Sequence, residues 1–331
     1  MPLSISSSDP GRSAQTANTN LRVRFAAVVV IVSVAAVFLG AEIFCRYAFP
    51  RISQIEGRIR SDEHQARSIS APSSGQPTVL MVGNSLLLRG LEYPKIRAEM
   101  APDAQVTRFV IENTNYLDWY YGLRHMFESG VHPSMVVLCL NLKQTISSGI
   151  LGDYSARHLF GVAELLPVAH EAGMDATRTS GLILAHWSAF YSSRATIRNF
   201  ILNTSDPPYA RAMHNLADSA PNPLPAPDEL VNTARKRVNA IQQLCGQNGI
   251  EFVLLIPPSL NRNNDLLASA ASLQHVNFDY PLPVGELGPE YFLDGAHLNP
   301  KGAAVFTDAV ARCLRARLVN LDRTRTYRKE Q

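Results

Sequence analysis

Five short runs of almost continuous apolar residues constrain the fold of this chain more than any other feature. Stretches with helical spacing separate the runs, so strand and helix alternate along the chain. Strands that are apolar at nearly every position are typical of a parallel sheet covered by helices on both faces. We therefore predict an α/β fold, a three-layer α/β/α sandwich with a parallel sheet, over residues 78–317. The runs are residues 78–82, 106–111, 135–140, 250–256 and, more weakly, 276–280.

The alternation breaks between residues 144 and 226, where we predict a helical insertion. Residues 173–202 carry an apolar stripe at helical spacing, and residues 207–226 have the composition of an irregular loop. Such a stripe usually packs into a core. An insertion beside a sheet edge can instead cap a site, so both interpretations stay open. The stripe consists of Ile183, Trp187, Phe190, Ile197 and Ile201.

Residues 25–45 form an apolar segment whose only charge is Glu42. A helix of this length crosses the ~30 Å hydrocarbon core of a bilayer. A cleaved signal peptide is the alternative, but the run exceeds the usual apolar length and no A-x-A site follows it. We predict a single transmembrane anchor preceded by an N-terminal tail, residues 1–24. Arginines flank the segment on both sides, so the positive-inside rule does not decide its orientation.

The regions outside the predicted domain are polar. Residues 46–77 are charged and then rich in Ser and Pro, without an apolar period, and we expect a stalk or linker. Residues 318–331 continue a basic stretch that we expect to be a solvated tail. The net charge of the whole chain is only +3. This balance argues against a nucleic-acid partner, because such proteins concentrate basic residues on one face.

The sequence offers no ligand set for a metal or a nucleotide. Its four cysteines lie far apart, and none belongs to a C-x-x-C pair. P-loop and G-x-G-x-x-G motifs are also missing from the sequence. We therefore predict no metal and no cofactor. Buried free thiols are the expected state of the cysteines, with a Cys245–Cys313 disulfide as the lesser alternative.

A serine follows the first apolar run, in the sequence Gly83-Asn84-Ser85. Ligands of open α/β sheets bind beyond the carboxyl ends of the strands, where Ser85 is expected. Leu87 occupies the last position of a G-x-S-x-G pattern, which disfavours the α/β-hydrolase nucleophile elbow. A serine in the turn that begins a helix would account for the motif equally well.

Asp294 and His297 lie three residues apart, just before a helix that Asn299 and Pro300 are predicted to begin. A carboxylate at this position can hold one imidazole nitrogen and leave the other free to take a proton from a serine. Each side chain taken alone is usually solvated. Together with Ser85 they supply a nucleophile, a base and a group that orients the base.

Residues 83–86 and 294–297 resemble the first and last blocks of the SGNH (GDSL-type) hydrolase superfamily. The resemblance covers residues 78–317 in order and spacing, and it implies a flavodoxin-like α/β/α fold. It also implies that Ser85 is the nucleophile, His297 the general base and Asp294 its orienter. Members of this superfamily include lipases, carbohydrate esterases and polysaccharide O-acetyltransferases, and several bacterial members are tethered to the membrane.

The middle blocks depart from the family pattern. Asn84 stands where the family has Asp, and the second block lacks the glycine whose backbone N–H lines the oxyanion hole. Asn113 is the expected substitute, since a backbone donor needs no particular side chain. The third block, Gly-x-Asn in the family, begins with Cys139 and keeps its asparagine as Asn141. The resemblance thus implies an oxyanion hole formed by Ser85, Asn113 and Asn141.

The resemblance implies a serine-dependent ester hydrolase or O-acyltransferase that forms an acyl-serine intermediate. An acylated carbohydrate at the cell envelope is the expected substrate, with the domain outside the cytoplasm, as in a periplasmic enzyme. The alternative is a non-catalytic SGNH-fold module that binds polysaccharide or assists a membrane acyltransferase. The altered oxyanion blocks favour that alternative, whereas the intact Ser85, Asp294 and His297 favour catalysis.

Overall fold

A computed structural model describes residues 10–70, 76–205 and 226–329 of the chain. Its centre is a five-stranded parallel sheet with the strand order β2-β1-β3-β4-β5. The predicted α/β/α fold with a parallel sheet is confirmed, and all five apolar runs contain a strand. The strands are β1 (Thr78–Gly83), β2 (Gln105–Val110), β3 (Met135–Cys139), β4 (Glu251–Leu255) and β5 (Phe278–Asp279).

Helices connect and flank the strands. The N-terminal helices are α1 (Pro10–Ile43), α2 (Phe49–Ile52) and α3 (Gln54–Arg67), with a π-helical turn at Phe44–Ala48 between the first two. Between β1 and β4 lie α4 (Ser85–Gly90), α5 (Tyr93–Met100), α6 (Tyr116–Glu128), α7 (Leu142–Ile146), α8 (Tyr154–His158), α9 (Val162–Glu171), α10 (Ala176–Trp187), α11 (Ala189–Ser205) and α12 (Pro227–Gln247). The last are α13 (Asn263–Ser272), a 3-10 turn at Pro289–Tyr291 and α14 (Pro300–Lys329).

Alternate residues of each strand supply two separate apolar cores, one on each face of the sheet. Val79 and Met81 of β1 pack in the core that α4, α5 and α14 cover. Leu80 and Val82 pack in the core on the opposite face, beneath α3, α6, α12 and α13. Both faces of the strands are therefore buried, which explains why the strands are apolar at nearly every position.

The strand order places a topological switch point beside β1. The chain runs outward from β1 to β2 and then returns to the other side of β1 to form β3. Gly83 at the end of β1 is paired with Val110 of β2 and with Cys139 of β3. The residues that follow these three strands therefore meet at one edge of the sheet, where ligands bind in folds of this kind.

The described part of residues 46–77 is not the stalk or linker that we expected. The helix α3 is packed on β2 and on α2, and its buried face consists of Glu56, Ile59, Asp62 and Ala66. Only two of these four residues are apolar. The two carboxylates are compensated by arginines, since Arg108 donates to both oxygens of Asp62 at 3.2 and 3.3 Å. A charged buried face has no apolar period, so the sequence pattern missed this helix.

The helical insertion is present, but its apolar stripe does not form the buried core face that was one of the two interpretations. The other, a cap over a site, stays a prediction. Ile183, Trp187 and Ile201 are exposed. The helices α10 and α11 pack on α8 and α9 and on the segment that joins α1 to α2. The predicted loop at 207–226 lies, apart from its last residue, outside the described residues.

One helical run, Arg22–Ile52, is long and apolar enough to cross a membrane, and almost none of it is buried in the protein. It contains the predicted anchor at residues 25–45. Glu42, the charge inside that segment, accepts hydrogen bonds from the Ser188 hydroxyl and from the Ala189 and Phe190 N–H groups at the start of α11. The insertion thus supplies hydrogen-bond donors to the one acidic residue of the apolar helix.

The C-terminal tail differs from expectation in part, whereas the cysteines are free thiols, as expected. The helix α14 continues to Lys329, and Leu318 is buried, so the domain extends beyond residue 317. All four cysteines are free thiols, and the alternative Cys245–Cys313 disulfide is not formed.

Candidate active site

Ser85 is the first residue of α4, directly after β1. Asn84 caps this helix by accepting a hydrogen bond from the Leu86 N–H at 3.0 Å. Gly83 is required because a Cβ there would lie 2.8 Å from the carbonyl oxygen of Cys139 on the neighbouring strand. The turn therefore combines a close strand contact with a helix cap, and it presents the half-buried Ser85 at the carboxyl edge of the sheet.

The structure brings Ser85, His297 and Asp294 into one hydrogen-bonded chain. The Ser85 Oγ lies 2.9 Å from Nε2 of His297, and Nδ1 of the same ring lies 2.8 Å from Oδ2 of Asp294. An ionised carboxylate can only accept, so Nδ1 carries the proton and Nε2 of the neutral ring accepts from the serine hydroxyl. This is the tautomer that a general base for Ser85 needs.

The Asp294 carboxylate is held by the loop in which it lies. Its Oδ1 accepts from the backbone N–H groups of His297 at 2.8 Å and Ala296 at 3.1 Å. Gly295 permits this tight turn with a φ of 78°. Partial burial alone would raise the pKa of Asp294, but these two N–H groups and the His297 ring outweigh it and hold the pKa below its usual value. The carboxylate is thus kept charged while it orients the imidazole.

Asn113 follows β2 in the left-handed region, with a φ of 58°. Non-glycine residues are uncommon there, although asparagine is tolerated better than most. The sequence left open whether the backbone at this position could substitute for the family's glycine, and the observed φ is one that glycine favours. The Asn113 N–H donates to no backbone carbonyl among the described residues, which leaves it available to a substrate.

Asn84 also holds the loop that contains Asn113. Its side-chain Nδ2 donates to the carbonyl oxygen of Thr114 at 2.8 Å, and the residue is 1% exposed. An aspartate at this position, as in the family, has no N–H for that carbonyl. The asparagine therefore connects the turn that carries Ser85 to the loop that carries Asn113.

Asn141 begins α7, directly beyond β3. Its Oδ1 accepts from the Gln144 N–H, and the Gln144 side chain returns a bond to the Asn141 N–H, forming a capping box. The side-chain Nδ2 has no acceptor within the described part of the chain. An amide fixed through its oxygen, with its N–H groups unoccupied, has the form of an oxyanion donor.

Cys139 is fully buried in the sheet, where burial raises the pKa of its thiol.

Arg58 is a residue near the site that sequence reasoning missed. It reaches from α3 to the end of β2, where Nη1 donates to the carbonyl oxygen of Val110 at 2.7 Å and Nη2 pairs with Glu112. These contacts lie directly before Asn113. Reading residues 46–77 as a stalk hid this contact, and no local motif around Arg58 points to it.

A second cluster of polar side chains lies away from this site. His125, Glu128 and Glu164 offer ligand atoms within 4.8 Å of one another, a set that their spacing in the sequence does not reveal. Arg124 lies 3.9 Å from Glu128 and 3.4 Å from Glu164. A guanidinium group therefore already compensates both carboxylates.

No protein-family model matches this chain, and no curated protein matches it. Solved structures that resemble it include a protein assigned to the G-D-S-L lipolytic family from Desulfitobacterium hafniense DCB-2, at 10% identity and a TM-score of 0.35, covering 72% of this chain and 99% of the other. Another is a protein from Streptococcus pneumonia described as a candidate platelet activating factor, at 13% identity and a TM-score of 0.35. That match covers 78% of this chain and 94% of the other.

Proposed function

We propose that this chain is a serine esterase or O-acyltransferase of SGNH type, with Ser85 as its nucleophile. The observation that carries the proposal is the chain of two hydrogen bonds, 2.9 and 2.8 Å long, from Ser85 through His297 to Asp294. Three side chains from opposite ends of the domain meet in the tautomeric arrangement that nucleophilic catalysis needs. A cap for α4 alone needs neither His297 nor Asp294.

In the first half-reaction, Ser85 Oγ attacks an ester carbonyl while His297 Nε2 takes its proton. The resulting tetrahedral oxyanion is stabilised by the Ser85 and Asn113 backbone N–H groups and by the Asn141 amide. When the intermediate collapses, the imidazolium returns the proton to the leaving alcohol, and an acyl-serine remains. Asp294 stabilises the imidazolium and stays ionised throughout.

In the second half-reaction, an acceptor hydroxyl gives its proton to His297 and attacks the acyl-serine. Water as acceptor gives hydrolysis, and a sugar hydroxyl gives O-acyl transfer. The acyl–Oγ bond then breaks, and His297 returns the proton to Ser85 Oγ. Both routes pass through the same covalent intermediate.

We place the reaction at the outer side of a membrane, on an acylated carbohydrate. The apolar helix Arg22–Ile52 supports a tether. A tethered enzyme acts on substrates held close to the membrane, and cell-envelope polysaccharides meet that condition. A membrane acyltransferase could supply the acyl group to Ser85.

Labelling of the full chain in detergent with a fluorophosphonate tests the activated serine. The full chain is needed because α3 packs on the sheet and cannot be removed as a linker. We expect labelling of the wild type and none of Ser85→Ala or His297→Ala. Ser272→Ala, which removes an exposed serine from the end of α13, is the matched control and keeps the label.

A folded wild type that does not react would overturn the proposal and favour the binding module. If the label is found, acetyl release from p-nitrophenyl acetate with and without an oligosaccharide acceptor then separates the two reactions. Acyl transfer predicts an acetylated oligosaccharide, and hydrolysis predicts acetate alone.

A further inference from the structure

A cavity of about 590 Å³ lies beside the end of the apolar helix, and its wall is rich in guanidinium groups. The helix α3 contributes Arg60 and Arg67, α8 contributes Arg157, and the π-helical turn contributes Arg46. Glu63 is the one carboxylate among the lining residues, and three histidines, His64, His158 and His186, complete its polar wall.

Three of the four arginines are held in place by neighbouring groups. Arg46 pairs with Glu42 and donates to the Trp187 carbonyl at 2.8 Å. Arg60 pairs with Glu56, and Arg67 pairs with Glu63. These contacts fix the orientation of the guanidinium groups before any ligand arrives, so ordering them costs little on binding.

Arg157 differs from the other three. It is half-buried, and no hydrogen bond or ion pair joins its side chain to the described part of the protein. Burial and the neighbouring Arg60 guanidinium lower the pKa of Arg157. Glu56 and Glu42 lie close enough to act in the opposite direction, but neither forms an ion pair with Arg157. An anion in the cavity would supply that missing partner.

His158 adds a buried ring nitrogen that has no hydrogen-bond partner. It lines the cavity and is 3% exposed, and its Nδ1 is bonded to Glu63 at 2.6 Å. Its Nε2 has no hydrogen-bond partner and lies 3.9 Å from Oε1 of Glu56. When the ring carries both protons, Nε2 is a donor that an anion in the cavity can meet. A buried ring nitrogen without a partner is unusual, since buried polar atoms are nearly always paired.

The cavity also lies where a bilayer would end. Arg46 continues the helical run of the candidate membrane span, and Trp187, which is 60% exposed, forms part of the wall. Tryptophan is enriched at the level of lipid headgroups, and arginine there faces the phosphates. Phe38 of the apolar helix packs against Phe190 of the insertion, with ring centroids 6.3 Å apart, so the insertion that supplies Trp187 also contacts the apolar helix.

We propose that this cavity binds a phosphate group, with Arg157 as its principal ligand, and that the phosphate belongs to the headgroup of an anionic lipid. A planar guanidinium forms two parallel hydrogen bonds to phosphate oxygens, which suits a site built from arginines. The lipid as source of the phosphate rests on the proposed membrane tether. The phosphate site itself does not, and it is independent of the chemistry at Ser85.

Native mass spectrometry of the full chain in a neutral detergent tests the proposal. Phosphatidylglycerol and phosphatidylcholine are added in separate titrations, and glycerol 3-phosphate is added in a third. We expect one tightly bound phosphatidylglycerol, and about tenfold weaker binding in Arg157→Gln. Arg157→Lys keeps the charge without the planar fork and should fall between the two.

Arg312→Gln is the matched control, because it removes an exposed arginine from α14 on the opposite face of the sheet. If glycerol 3-phosphate binds as tightly as the lipid and depends on Arg157 to the same extent, that result would support the phosphate site and overturn the lipid as its source. Equal binding of the two lipids, or no difference between Arg157→Gln and Arg312→Gln with their melting temperatures matched, would overturn the proposal. Fluorophosphonate labelling of Ser85 should be unchanged in every variant.

Discussion

The Ser85 hydroxyl oxygen lies 2.9 Å from Nε2 of His297, although 212 positions separate the two residues in the chain. They meet because β1 ends at the carboxyl edge of the sheet and the loop before α14 returns to that same edge. Neither residue depends on the other for its local backbone structure. Their approach is therefore a property of the fold that the separate motifs do not require.

Asp294→Asn should lower the rate of ester hydrolysis by about 1000-fold, with little change in melting temperature. An asparagine amide can donate to Nδ1 of His297 and thereby favour the tautomer in which Nε2 carries the proton. The effect on folding is small because the Asp294 side chain is 56% exposed. Hydrolysis of p-nitrophenyl acetate and a melting curve measure the two quantities. An unchanged rate would contradict the role of Asp294.

The lowered pKa of Asp294 also predicts how the difference in stability between wild type and Asp294→Asn depends on pH. A carboxyl group that is more acidic in the folded protein stabilises the fold above its unfolded pKa of 3.8, and this contribution is lost as the pH falls through the folded value. The difference in stability between wild type and Asp294→Asn should therefore be constant at neutral pH and change only below about pH 4.

The sequence was sufficient to predict the parallel sheet and the three residues of the hydrogen-bonded chain. Doubly buried strands are nearly all apolar, and Ser85, Asp294 and His297 lie in short motifs whose residue types carry their chemistry. The oxyanion loop was only partly predictable. Whether Asn113 can replace a glycine depends on its φ, which no residue type fixes.

Asn84→Asp, which introduces the residue that the SGNH superfamily has at the resembling position, should destabilise this protein by about 1–3 kcal/mol at neutral pH. The buried carboxylate would face the Thr114 carbonyl, to which the Asn84 amide now donates. Urea unfolding measures the loss, which should diminish at acid pH, where a protonated carboxyl can donate. Asn261→Asp is the matched control, since that exposed side chain only accepts, from the Asn263 N–H. Equal effects of the two changes would contradict the argument.

Asn113→Gly should leave the protein unchanged, whereas Asn113→Val should impair it. Glycine adopts the observed φ of 58° without strain, so activity and stability should be retained. Valine, which is β-branched, disfavours this region by about 1–2 kcal/mol and would turn the backbone N–H away from the oxyanion. We expect kcat to fall by about 100-fold in Asn113→Val. Steady-state kinetics decide the matter, and equal kcat values would exclude this N–H from the oxyanion hole.

Asp118 should make the protein less stable as the pH rises. It is fully buried in α6, and burial raises its pKa to about 7 from 3.8. Between these values the folded protein keeps a proton that the unfolded chain has released, so the free energy of unfolding falls with increasing pH. The fall amounts to at most about 4 kcal/mol between pH 4 and pH 8.

Asp118→Asn should remove most of that slope, because the amide oxygen can still accept from the Asn115 N–H. Urea unfolding at pH 5 and pH 8 gives the comparison. Asp175→Asn is the matched control, since it changes an exposed helix cap that bonds the Arg178 N–H, and it should keep the slope of the wild type. A wild-type slope in Asp118→Asn would refute the prediction.

The helix α3 shows why part of the site lay beyond sequence reasoning. Its buried face alternates apolar residues with carboxylates, and these carboxylates are tolerated only because arginines from the same helix and from β2 compensate them. This compensation exists only in the folded protein. In the sequence, the segment shows its charged residues but not their compensation, and it therefore has the composition of a linker. Arg58 was overlooked for this reason, although its side chain contacts the residues that lead into Asn113.

Arg58→Met should lower kcat by about tenfold and leave KM nearly unchanged. The guanidinium group holds Val110 and Glu112, so its loss loosens the turn that carries the Asn113 N–H. A donor that serves only the transition state affects kcat more than ground-state binding. Arg58→Lys can still reach one of the two acceptors and should recover part of the rate.

Arg108→Met is the control that separates positioning from stability. Arg108 binds the same Asp62 carboxylate as Arg58, but its hydrogen bonds do not reach residues 110–113. Its replacement should lower the melting temperature at least as much as Arg58→Met while keeping kcat. If kcat instead falls equally in the two variants, Arg58 acts through stability alone. A loss confined to Arg58→Met identifies α3, next to the apolar helix, as the element that positions the oxyanion turn.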